Sequence, residues 1–216
     1  MTLAGAGWIP NDRFTVGVIE EFVYDACNTV YAEADGTIFR DWNGFGLESE
    51  LQFTDQRSVG AAILPVGSFA TQRFSGRIAA SYAYAVLRLG FSATGRGAAV
   101  ISPYGTDPSF LSMMQTDFKR AGEDAWMAGL SYQFTRLGMP DLTAIFYYVG
   151  GIGARTNEGV PLPNRNEMDL TVDYRLQQGR WRGFWLRFRL SFLDEEANPR
   201  TQKEMRVIFN YDLPVI

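Results

Sequence analysis

The feature that most constrains this chain is a two-residue rhythm that recurs along nearly its whole length. Its sharpest instance is Phe184-Trp185-Leu186-Arg187-Phe188-Arg189-Leu190-Ser191-Phe192. One parity reads Phe, Leu, Phe, Leu, Phe; the other reads Trp, Arg, Arg, Ser. A β-strand sends alternate side chains to opposite faces, so this segment has one apolar flank and one cationic flank. In a soluble protein the apolar flank would cover a core. In a membrane barrel it would meet lipid, and the arginines would meet water.

The rhythm predicts a series of strands separated by turn residues. Residues 14–24 and 29–39 open it. Residues 45–55 set Phe45, Leu47, Leu51 and Phe53 against Glu48, Glu50, Gln52 and Thr54. Residues 71–83 set Phe74, Ile78, Ala80 and Tyr82 against Arg73, Ser75, Arg77 and Ser81, and residues 85–94 set Leu87, Leu89 and Phe91 against Arg88, Gly90 and Ser92. Segments 126–136, 142–149, 167–176, 184–193 and 203–215 complete the set. About ten strands of roughly 10 residues result, which is the length of a tilted membrane-crossing strand. Soluble strands average about 5–6 residues. No segment carries a helical period.

The connections carry a second signal. Counted back from the C-terminus they alternate: 194–202 long and 179–183 short, 151–166 long and 138–141 short, 96–125 very long and 82–85 tight, 60–70 long and 40–44 short. Outer-membrane barrels have this asymmetry, with short periplasmic turns and longer outer loops. The connection 25–28 is the exception, short where the parity predicts an outer loop. Aromatic residues gather where strands meet turns: Phe39, Trp42, Phe45, Tyr82, Tyr84, Trp126, Phe134, Trp181, Phe184 and Trp185. Rings with an apolar body and a polar edge favour the membrane–water interface, which predicts a girdle.

Composition narrows the function. The chain has 216 residues, a net charge of −4 and 46% hydrophobic residues. Its mean hydropathy is −0.12, an average that alternating strands produce by cancellation. The acidic balance argues against a nucleic-acid binder, for which a basic patch or stripe is expected. There is no histidine, so the commonest general base and metal ligand is missing. The single cysteine, Cys27, supports neither a disulfide within the chain nor a thiolate metal cluster. Gly150-Gly151-Ile152-Gly153 ends a strand and precedes no helical pattern, unlike a phosphate-binding loop. No metal, cofactor or catalytic arrangement is implied. Among the 20 basic residues only Lys119 and Lys203 are lysines; the rest are arginines, whose planar fork of donors fits carboxylates.

The segments Glu167-Met-Asp-Leu-Thr-Val-Asp-Tyr-Arg175, Gly183-Phe-Trp-Leu-Arg-Phe-Arg-Leu190 and Arg206-Val-Ile-Phe-Asn-Tyr-Asp-Leu-Pro214 resemble the C-terminal part of the OprD-type (Occ) porins. These are substrate-specific outer-membrane channels of Gram-negative bacteria. Upstream, Asn28-Thr-Val-Tyr-Ala-Glu-Ala-Asp35 and Gln52-Phe-Thr-Asp-Gln-Arg-Ser-Val-Gly60 carry the same likeness. The resemblance covers most of the chain and is strongest over its last fifty residues. It implies an all-β, antiparallel transmembrane barrel of roughly 18 strands, the size class whose lumen stays open to water. Residues 1–216 are then a single β-barrel domain that holds the second part of such a barrel. The N-terminus lacks the basic and apolar regions of a signal peptide. The missing N-terminal half, including the family's third loop, is expected to be needed for closure. The chain ends in Ile216, whereas many outer-membrane barrels end in an aromatic.

The resemblance further implies a ladder of basic side chains that guides carboxylate-bearing solutes. Carried over by position, Arg187 and Arg189 lead, followed by Arg175 and Arg206. Arg73, Arg77 and Arg88 join them by strand parity alone. Glu48, Glu50, Asp169 and Asp173 lie on polar flanks and form candidate acidic lining. The same residues also admit a plainer role, as cross-strand ion pairs contributing about 0.2–1 kcal/mol each. The loop 96–125 is unusually apolar for a surface loop, and the resemblance implies that it folds inward as a constriction, with Tyr104, Phe110, Lys119 and Arg120 as its candidate residues. The expectation is a passive outer-membrane channel, not an enzyme, for small carboxylates such as amino acids or aromatic acids, with membrane lipid on its apolar flank. Two rivals remain: a small self-closed outer-membrane barrel with an enzymatic or adhesive role, and a soluble β-sandwich binding module.

Overall fold

A computed structural model describes residues 1–102 and 108–212. Eleven strands form one sheet in chain order, each antiparallel to the next. They are β1 (Thr2–Asn11), β2 (Phe14–Val23), β3 (Cys27–Trp42), β4 (Phe45–Ser58), β5 (Ala70–Tyr82) and β6 (Ala85–Thr94). Then follow β7 (Asp124–Gln133), β8 (Leu142–Ile152), β9 (Arg165–Arg175), β10 (Phe184–Glu195) and β11 (Gln202–Tyr211). The only helix among the described residues is a single 3-10 turn, Phe134–Leu137, which cuts short the strand expected over 126–136. Residues 213–215 of the last expected strand lie outside the described residues.

The sequence predicts about ten strands of this length, and the structure has eleven. The additional one is β1. Its sequence, Thr-Leu-Ala-Gly-Ala-Gly-Trp, places small residues on both faces, so no apolar alternation marks it. Backbone pairing with β2, from Thr2↔Phe22 to Trp8↔Val16, makes it a strand nonetheless. In β3 the expected 29–39 extends to 16 residues, and the hairpin to β4 turns on Asn43 and Gly44 at φ 56° and 79°. An Asn-Gly pair tolerates those left-handed values, and two positive φ angles give the turn whose twist matches the flanking strands.

An odd count matters. With every neighbour antiparallel, β1 and β11 run in the same direction, and they are the two outer strands of an open sheet. Joining them would require a parallel pair. The self-closed barrel considered above is therefore not what the structure shows. An antiparallel barrel containing this sheet needs an odd number of further strands, because open edges are not tolerated in lipid.

The burial pattern is the reverse of a soluble domain's. Leu51, Phe74, Leu87, Leu89, Phe91, Trp126 and Leu130 on one face are exposed, while Gln52, Thr54, Arg73, Ser75, Ser92 and Thr171 on the other are buried. A contiguous exposed apolar face of this extent marks contact with lipid. Among the described residues, the dry clusters lie where loops cover the polar face. Leu111 and Phe118 of the β6–β7 loop (residues 95–123) pack on Ala125, Met127 and Val149. Cys27, Phe69 and Ala98 form a smaller cluster where two loops meet the start of β3. The connections 59–69, 95–123 and 153–164 are long and alternate with the two-residue turns 43–44 and 83–84, but the alternation fails at both ends of the series: the link 24–26 has three residues, and the link 196–201, expected to be long, has six against eight in 176–183.

Candidate permeation wall

Register decides which side chains share a row on the polar face. On β9–β11 the rows are Arg187 beside Asp173 and Ile208, Arg189 beside Thr171 and Arg206, and Trp185 beside Arg175 and Asn210. Each follows from the pleat: residues two apart share a flank, about 7 Å along the strand. Arg187, Arg189, Arg175 and Arg206 therefore occupy one continuous polar surface.

None of these arginines is bare. Arg187 donates from Nε and Nη2 to the two carboxylate oxygens of Asp173, at 2.6 and 2.7 Å. Its guanidinium also lies 4.5 Å from the centre of the Trp185 ring, and the Trp185 indole donates to Asp173 at 3.3 Å. Arg175 approaches the same ring at 5.9 Å and pairs with Asp212 at 2.9 Å. Arg189 reaches Asp169 at 3.6 Å. Arg206 pairs with Glu204 at 2.5 Å and donates to the Met114 carbonyl at 2.8 Å.

The second group sits on β3–β6. Arg77 and Glu50 are register neighbours and form a two-point pair, one contact of which is 2.8 Å long. The Arg77 guanidinium covers the Phe110 ring at 4.5 Å. Arg73 is fully buried and donates to the Pro108 carbonyl at 2.6 Å. Arg88 donates to Ser131 at 3.0 Å. Glu48 is exposed, in the row of Thr37 and Ala79. Beside it lie two acids that strand parity would have identified, Glu33 and Asp35, opposite Gln52 and Glu50. Tyr31 donates to Glu33 at 2.7 Å. Glu33, Asp35, Glu48 and Glu50 make one acidic block in which Arg77 is the paired cation.

The β6–β7 loop lies against both groups. Phe110 reaches the wall under Arg77, as above. Lys119 and Arg120 instead tie the loop to itself and to its neighbours. Lys119 reaches Ser102 at 3.1 Å and Asp117 at 3.4 Å. Arg120 holds the fully buried Glu123 at 2.7 Å and the Pro163 carbonyl at 3.0 Å. Tyr104 lies outside the described residues.

Trp185 faces the polar side with Arg187, as its strand parity predicts. One placement differs from the sequence reading. Asp169, expected on an open polar flank, is only 2% exposed because the loop covers it. Its neighbour Glu167 is completely buried by the same loop. Local alternation assigned its face correctly but carries no information about a loop arriving from fifty residues away.

A family model described as outer membrane porin, OprD family, matches residues 1–215. Solved structures from Pseudomonas aeruginosa share the fold. OpdK, crystallised with vanillate, superposes with a TM-score of 0.88 at 23% identity over 97% of this chain and 55% of its own. OccK9 (OpdG) does so at 0.88 and 25% identity over 97% and 53%. OccK5 (OpdH) does so at 0.88 and 20% identity over 99% and 58%. The chain thus spans about half the length of the porins it matches. No curated protein matches it significantly. With an exposed apolar flank, a charged polar flank and a family match over nearly every residue, the chain belongs to the OprD family of outer-membrane porins.

Proposed function

We propose that this chain forms one side of a passive diffusion channel for small carboxylate-bearing solutes, amino acids or aromatic acids, with the remaining strands supplied by the rest of the protein. The observation that carries the reading is the continuous polar surface of Arg175, Arg187, Arg189 and Arg206, backed by an apolar flank that meets lipid.

Pairing with native acids suits transport. A guanidinium has five N–H donors, and Asp173 engages Nε and Nη2 of Arg187, leaving others for a passing carboxylate. A solute anion then competes with a resident carboxylate instead of filling a bare cationic site, so each stop is weak. Several weak sites in series favour passage over retention. The acidic block of Glu33, Asp35, Glu48 and Glu50, on β3 and β4, lies six to seven strands from β10 along the sheet and offers the complementary charge for the ammonium end of a zwitterion. The vanillate in the OpdK crystal is a small aromatic carboxylate and agrees with this class of solute.

The test is a planar-bilayer recording of the intact porin with Arg187→Ala and Arg189→Ala combined. Permeability to benzoate and glutamate relative to potassium should fall while the channel still opens. Unchanged relative permeability would remove the ladder role.

A further inference from the structure

Residues 113–117 form the tip of the β6–β7 loop, and polar contacts to β9 hold them in addition to the packing of Met113 on the hydrophobic cluster. Three consecutive backbone N–H groups at this tip point at carboxylates of β9. Met114 donates to Asp169 at 3.0 Å, Gln115 to one oxygen of Glu167 at 2.7 Å, and Thr116 to the other at 3.0 Å. Successive N–H groups turned to one side make an anion-binding concavity, and here the anions belong to the barrel wall itself.

The neighbouring groups complete the attachment. The Gln115 side chain donates to Ser191 at 2.8 Å, and Ser191 donates to Glu167 at 2.9 Å. Arg206 reaches the Met114 carbonyl at 2.8 Å, and Arg165 reaches Thr116 and the Asp117 carbonyl, each at 2.5 Å. Glu167 and Asp169 are 0% and 2% exposed, a degree of burial a carboxylate tolerates only when it is hydrogen-bonded or paired. The N–H groups of the loop and the Arg189 guanidinium supply that compensation. Leu111 and Phe118, on either side of the tip, are anchored against Ala125, Met127 and Val149, and Met113 packs on the same cluster, so the polar contacts to β9 are a second attachment added to a hydrophobic one.

We infer that Glu167 and Asp169 are positioning residues that latch the tip of the β6–β7 loop across the polar face, and that removing their carboxylates frees the tip and widens the conducting path. The inference rests on the channel reading above. The loop-side groups are shape-specific: a carboxamide at 167 still accepts one N–H but turns its NH2 toward the other, so Glu167→Gln breaks the latch without emptying the space.

The experiment compares the intact porin with two variants: Glu167→Gln combined with Asp169→Asn, and Gln115→Pro, which deletes the backbone N–H toward Glu167 and the side-chain amide toward Ser191 and leaves the wall native. Amide hydrogen exchange is followed by mass spectrometry on the peptide containing residues 111–117, together with single-channel conductance. The latch predicts at least about tenfold faster exchange in that peptide, unaltered protection of β8–β11, and larger conductance. Unchanged exchange overturns it, and so does faster exchange at unchanged conductance, since the tip would then not bound the path. If the wall variant fails to insert, Gln115→Pro decides alone. A wild-type protein that forms no channel sinks the channel reading, and exchange then judges the latch by itself.

Discussion

Replacing Asp173 by Asn is the perturbation whose sign separates a guiding ladder from wall decoration. The substitution keeps an oxygen for the Trp185 indole and removes one negative charge from the partner of Arg187. A solute carboxylate resting at Arg189 sits two residues along the strand, about 7 Å from the position of Asp173. At that distance two unit charges repel by about 0.6 kcal/mol in bulk water and about 2.4 kcal/mol at an effective dielectric constant of about 20. A Debye length of about 8 Å at physiological salt reduces these to about 0.25–1 kcal/mol. Removing that repulsion should raise anion occupancy about 1.5- to 5-fold. The assay is the reversal potential in a salt gradient across a planar bilayer, converted to an anion-to-cation permeability ratio. Asp173→Asn should move the ratio toward anions, and Arg187→Ala should move it toward cations. The cost in stability is small, because the pair is partly exposed, at 30% for Arg187 and 15% for Asp173, and such pairs contribute at most about 1 kcal/mol. A ratio unmoved by Asp173→Asn, or moved toward cations, would refute the reasoning.

Two further outcomes follow from the same faces. Leu89, exposed in the middle of β6, should tolerate arginine poorly, losing about 2–4 kcal/mol if it sits near the bilayer midplane. Glu48→Arg on the exposed polar side should stay within about 0.5 kcal/mol, and urea unfolding from lipid vesicles, read by heat-shifted gel migration, measures both. Trp185→Leu removes the ring on which Arg187 rests, so it should shorten the residence of benzoate relative to acetate in single-channel records while potassium chloride conductance holds. Equal shortening for both solutes would assign Trp185 a purely structural role.

How much of this was readable in the chain depends on the range of the interaction. Strand faces are a local property, and every arginine of the ladder shares its strand's polar parity with the residues that alternation selects. Phe74 against Arg73 and Phe188 against Arg187 needed nothing beyond the pleat. β1 was not readable, because Ala4, Gly5, Ala6 and Gly7 have no apolar contrast between faces and only backbone pairing with β2 defines the strand. The apolar content of the β6–β7 loop signalled packing, and Leu111 and Phe118 do pack. Its target was hidden, because Glu167 and Asp169 look identical on a strand to acids that face water. Trp185 is the converse case: its parity with Arg187 already set it on the charged flank, and its register with Arg175 and Asn210 keeps it there.

The central claim is that hydrocarbon meets one flank of each strand and water the other. Nitroxide labels placed one at a time at residues 86–89 of β6 test it without touching the ladder on β9–β11, by comparing collision rates with dissolved oxygen and with a water-soluble nickel chelate. The account predicts oxygen-dominated collisions at 87 and 89 and nickel-dominated collisions at 86 and 88. Equal accessibility at all four sites, or the opposite phase, would contradict it.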